Sequence, residues 1–86
     1  GAPTMPRLSR TTAEKQLEAL KDAVDIYMMK RTRDGVDCAT AAAALGFRYS
    51  TLRDRRKRPE TFTIGEIQRI ANTLNVTIPT LLGENN

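Results

Sequence analysis

The chain contains no histidine and no tryptophan, a single cysteine, and only two tyrosines and two phenylalanines in 86 residues. Each shortage removes a class of chemistry. Without histidine there is no imidazole acid–base catalysis, no Ser-His or Cys-His nucleophile pair, and little zinc chemistry. With Cys38 alone, one chain can close no disulfide and assemble no cysteine-based metal site. Four rings are a poor supply for stacking on unpaired bases, the usual basis of single-stranded RNA recognition. No apolar run approaches the ~20 residues of a membrane span, and no signal-peptide pattern is present. These absences point away from an enzyme, from a metal or cofactor, and from a membrane, and toward a reducing cytosolic setting.

What is present is enough for one small core. Forty per cent of the residues are apolar, and a chain of 86 residues buries about 60 to 65% of its unfolded surface, which suits a single domain. The charge is unevenly placed. There are 14 basic and 10 acidic side chains in all, yet the eleven residues 48–58, RYSTLRDRRKR, hold five arginines and one lysine against Asp54 alone. The other residues together sum to about one negative charge, so the basic character is local and marks a segment suited to an anion. A solvated charged face is the bland alternative.

Periodicity predicts helices throughout. Thr11 stands three residues before Glu14 at capping-box spacing, and Leu17, Leu20, Val24, Tyr27 and Met28 then recur at intervals of three and four. This first helix is expected over about 13–31, ending in basic residues and Gly35. Asp37 is a suitable N-cap for the short alanine-rich segment CATAAAALG, which Gly46 stops. The basic stretch follows as a third helix with Leu52 as its one interior apolar anchor, closed by Pro59. Thr63 and Glu66 repeat the capping-box spacing ahead of the stripe Ile64, Ile67, Ile70, Ala71 and Leu74. Asn75 suits a left-handed C-cap, and Thr77 can cap a last turn holding Ile78, Leu81 and Leu82. The expectation is a compact all-α fold of five helices. Residues 1–10, opening with GAPT in the manner of an expression remnant, are expected to be disordered, 11–83 to form the domain, and 84–86 to be a tail.

The run AAAALGFRYSTLRDRRKRP followed by TIGEIQRIANTLNVTIPTLL resembles the Cro/repressor-type, or XRE-like, helix-turn-helix regulators of phages and bacteria, over about residues 17–82. Ala42 lies four positions before the turn glycine Gly46, with Phe47 after it and Leu52 on the buried side of the next helix. The pattern Ile67-x-x-Ile70-Ala71-x-x-Leu74, then Val76, Thr77 and the pair Leu81-Leu82, is similar to the family's last segment. The chain also departs from the pattern. Arg55 stands where an apolar residue is usual, Arg56 where an acid is common, Arg48 where a small capping residue is usual, and Cys38 where a glutamine often opens helix two. The third helix is therefore expected to start at Tyr49 by resemblance, or near Ser50 by local capping chemistry.

The resemblance implies a repressor-like domain in which helices two and three form the helix-turn-helix and the third helix, 49–58, enters the major groove of double-stranded DNA. Base contacts would fall to Tyr49, Ser50, Arg53 and Asp54: a bidentate arginine on guanine, a carboxylate on a cytosine amino group, an adaptable hydroxyl, and a ring against a thymine methyl. Arg53 and Asp54 are equally read as facing phosphate or water, and Tyr49 as packing on helix two. Phosphate contacts would fall to Thr40, Arg48, Thr51, Arg56, Lys57, Arg58 and Thr61. Arg55 is read as laying its stem over the core and turning its head outward. Cys38 is read as a small reduced residue at a helix start.

The function so implied is a transcriptional regulator, a repressor occupying a two-fold symmetric operator as a homodimer, in the bacterial cytosol and on the nucleoid when bound. A protein partner that modulates binding is a further expectation. Ile78, Leu81 and Leu82 are candidates for the dimer surface, or else they close the core. The competing readings are a helical protein-binding module, using the first helix's other flank at Ala23, Ile26 and Met29, and a non-specific nucleic-acid binder using the arginine cluster.

Overall fold

The computed structural model describes residues 12–83, and its first helix, α1 (Thr12–Arg33), follows the stripe read from the sequence. Leu20, Val24, Tyr27 and Met28 are all buried there, while Leu17 is half-buried near the start. The helix continues two residues past the expected end. It stops when the Gly35 and Val36 N–H groups donate back to the carbonyls of Thr32 and Arg31, a Schellman closure that uses the last turn's orphan acceptors. The expected Thr11–Glu14 capping box depends on Thr11, and it lies outside the described residues with the segments 1–10 and 84–86.

Asp37 then starts α2 (Cys38–Ala44), its carboxylate accepting from the Thr40 N–H at 2.7 Å. That bond to the charged form holds the Asp37 carboxyl below the usual carboxylate range. Ala41 and Ala42 turn inward and are buried, and their small size lets α1 come close enough for the Tyr27 hydroxyl to donate to the Ala41 carbonyl at 3.3 Å. Leu45 and Phe47 bracket Gly46 and both enter the core.

The basic helix α3 (Tyr49–Lys57) begins at Tyr49, with Arg48 in the N-cap position making no side-chain cap bond. Leu52 is its one fully buried residue. After Arg58 a single 3-10 turn, Pro59–Thr61, which the periodicity did not reveal, delivers Phe62 to the core edge-on against Phe47, with ring centroids 5.9 Å apart.

The second capping box is formed as expected: Glu66 N–H donates to the Thr63 hydroxyl at 3.1 Å and Thr63 N–H to the Glu66 carboxylate at 2.9 Å. It opens α4 (Ile64–Leu74), which buries Ile70 and Ala71, half-buries Ile67 and Leu74, and ends at Asn75 in the left-handed conformation. Ile64 departs from its expected place in the stripe. It sits on the first turn, beyond the point where Phe62 already closes that end of the core, and is 79% exposed. A last short helix, α5 (Ile78–Leu81), is capped by Thr77.

The described residues are thus all-α, with five α-helices and no strand, around one core shared by α1, α2, α3, α4 and α5. No helix among them is long and apolar enough to cross a membrane.

Candidate nucleic-acid interface

Along α3 the side chains sort into two sectors about Leu52. Ser50, Asp54 and Lys57 lie opposite it on a helix of 3.6 residues per turn, Arg53 stands about a quarter-turn round from it, and all four are exposed. Arg55 and Arg56 flank it, and both are half-buried. A guanidinium at such a position must be paired or reach water. Here both are paired. Arg55 donates through Nε and Nη2 to the two Glu66 oxygens, at 3.1 and 3.3 Å. Arg56 Nε donates to Asp25 on α1 at 2.7 Å. The basic helix is therefore held from two sides by carboxylates of other helices.

These pairs leave a mark on the acids. Partial burial alone would raise Asp25, but hydrogen bonds from Lys21 and Arg56 outweigh it and hold the carboxyl below the ordinary range. Glu66 behaves in the same way: burial pushes it up, and the bonds from Arg55 and the Thr63 N–H bring it down further. Asp25 also raises Lys21, which donates to it at 2.7 Å across one helical turn. The Arg55 guanidinium is raised by its bond to Glu66.

Between α1 and α3 these groups line an open cleft of about 300 Å³ walled by Lys21, Asp25, Arg53, Arg56 and Lys57. Four cations meet one carboxylate there. Lys21 and Asp25 did not figure among the candidate residues, since only their own spacing of four connects them in the sequence, and nothing local ties them to a helix some thirty residues later.

The bend that aims α3 is held from α4. Gly46 adopts φ +87°, and its carbonyl accepts from Arg69 Nη1 at 3.0 Å. Thr73 Oγ1 donates to the Ala44 carbonyl at 3.2 Å, satisfying another acceptor at the end of α2. A Cβ on Gly46 would overlap the Arg69 side chain, so the glycine is required by its backbone and by its neighbour together.

Each candidate residue now has a place. Ser50, Arg53 and Asp54 project outward together, whereas Tyr49 is half-buried against the core. Arg48, Lys57 and Arg58 are exposed around that face. Thr51 is half-buried. Thr61 is exposed, but its hydroxyl donates to the Arg58 carbonyl at 2.6 Å. Thr40 is exposed on α2, beside a crevice formed with Tyr27, Arg31 and Val36. Arg56, expected among the phosphate-facing cations, is half-buried and shares the Asp25 carboxylate with Lys21. Arg55, expected to lay its stem over the core and turn its head outward, is partly exposed with its head on the Glu66 carboxylate. Of the C-terminal trio read either as a dimer surface or as closing the core, Leu81 is 4% exposed and belongs to the core, and Ile78 and Leu82 pack against it partly buried.

A scan against protein-family models and searches of curated proteins and of solved structures find nothing that matches this chain.

Proposed function

We propose that this chain is a sequence-specific double-stranded DNA-binding regulator, a repressor that covers its operator, with α2, the Gly46 bend and α3 acting as a helix-turn-helix. One observation carries the reading: Ser50, Arg53, Asp54 and Lys57 share one exposed face of α3 while the two arginines on its inner side are paired with Asp25 and Glu66. The cations left outward, Arg48, Arg53, Lys57 and Arg58, stand against Asp54 alone on that segment. A helix of this width fits the major groove of B-form DNA.

In this reading Arg53 takes guanine and Asp54 a cytosine amino group, with Ser50 adapting to either edge. Arg48, Lys57 and Arg58 set affinity and register on the phosphates. A two-fold symmetric operator bound by two chains follows from the resemblance, with half-site centres about 34 Å apart.

Selection of bound fragments from a random duplex library tests the proposal. Enrichment of a short motif is expected, with R53A relaxing one position of it and K57A weakening every sequence alike. No enrichment, or equal binding of single-stranded RNA competitor, would overturn it.

A further inference from the structure

The open cleft between α1 and α3 is walled by charged side chains alone: Lys21 and Asp25 from α1, and Arg53, Arg56 and Lys57 from α3. Arg56 and Lys57 follow Arg53 by three and four positions, and Asp25 follows Lys21 by four, so each set shares one side of its helix. Across a space of about 300 Å³ the two sides bring four positive charges to one negative. The nucleic-acid reading uses Arg53 and Lys57 but has no task for Lys21.

Asp25 gives the cleft its form. It takes Lys21 on Oδ2 and Arg56 on Oδ1, both at 2.7 Å, which ties one cation from each helix to a single carboxylate. One carboxylate cannot balance both, and Arg53 and Lys57 pair with no acid among the described residues. The Arg56 Nη groups likewise find no acceptor among those residues. Like charges gathered in this way repel, and an anion carrying several charges relieves the repulsion while accepting the unused donors. We infer that this cleft is a binding site for a free oligophosphate, a chain of linked phosphates such as pyrophosphate or tripolyphosphate. A single phosphate engages only part of the set, whereas a chain offers oxyanions to both helices together. No aromatic, amide or apolar side chain lines the cleft, so nothing there reads a base, and the phosphate chain itself is what is recognised.

The consequence for regulation rests on the nucleic-acid reading: an oligophosphate in the cleft occupies Arg53 and Lys57, which duplex DNA needs, and so releases the DNA. The site itself stands without that reading and is measured without nucleic acid.

An amide NMR titration of the full chain with tripolyphosphate, at about 100 mM salt and without divalent metal, tests the site. Saturable shifts centred on the residues of the cleft are expected, with a Kd below about 1 mM. Orthophosphate binds at least about tenfold more weakly, and ATP no more than about threefold more tightly than tripolyphosphate. K21A weakens binding at least about fivefold, and K21R, which keeps the charge, stays within about twofold of the parent chain. K30A removes the same charge half a turn round α1 and about 13 Å along it, and changes binding by less than about twofold. Shifts no larger than those from sulfate at equal ionic strength, or K30A acting as strongly as K21A, overturn the site and reduce the effect to screening. ATP binding beyond that threefold margin overturns the assignment to the phosphate chain alone. Fluorescence anisotropy with a labelled duplex separates the two readings. A chain that binds tripolyphosphate and ignores DNA upholds the site and refutes the regulator, while one that binds duplex but not tripolyphosphate does the reverse.

Discussion

Replacing Asp25 by asparagine separates two roles of one carboxylate, because it is expected to weaken the fold slightly and strengthen binding to duplex DNA of any sequence. Asp25 accepts from Lys21 and from Arg56, each at 2.7 Å, and the three side chains are 30, 43 and 29% exposed. Pairs in such partly wet positions contribute at most about 1 kcal/mol each, so a loss of roughly 0.5 to 1.5 kcal/mol is expected. The two released cations remain in a cleft already lined by Arg53 and Lys57. Each one that reaches a phosphate adds about 0.9 to the slope of log K against log salt, or about 1.8 for both. Between about 200 and 50 mM salt that steepening corresponds to roughly a tenfold extra gain in affinity. Fluorescence anisotropy on a scrambled duplex over that range reads the slope, and urea titration reads the stability. R56A is the control: its guanidinium is held half-buried on Asp25, so it should cost stability and leave the slope nearly unchanged. A D25N slope equal to or shallower than that of the parent chain would refute the reasoning, since the freed cations would then not be reaching phosphate.

The other perturbations act on the scaffold. L52A removes the only fully buried anchor of α3 and should cost about 2 to 5 kcal/mol in urea denaturation, a large share of what so small a domain has. G46A forces a left-handed alanine, about 1 to 2 kcal/mol, and also displaces Arg69; adding R69A should recover part of the steric cost, making the pair measurably non-additive. Asp25, Asp37 and Glu66 are all held below their unfolded values, so their contribution is present above the ordinary carboxylate range and is lost as pH falls through the folded values. The urea midpoint should therefore drop between about pH 5 and pH 3, and D25N/E66Q should flatten that dependence; an unchanged profile would count against the ion pairs.

Interactions spanning three or four residues were legible in the sequence. Asp37 ahead of α2, the Thr63–Glu66 box, and the stops at Gly46 and Asn75 each obey a rule that closes within one turn of chain. The buried stripe of α1 and the placement of Leu52 followed from the same 3.6-residue period. Helix bounds moved by only a residue or two, since capping groups set them locally.

What only the tertiary structure decided is which cations are left to face outward. Arg55 and Arg56 stand in a run that reads as uniformly basic, yet their partners are 11 and 31 residues away, on helices whose approach no local pattern encodes. Likewise Ile64 continues a perfect stripe but projects past the core, while Leu81 is drawn into it, because burial depends on where neighbouring elements end. Periodicity states which way a side chain points from its own axis; only the packing of the helices states what stands there to meet it.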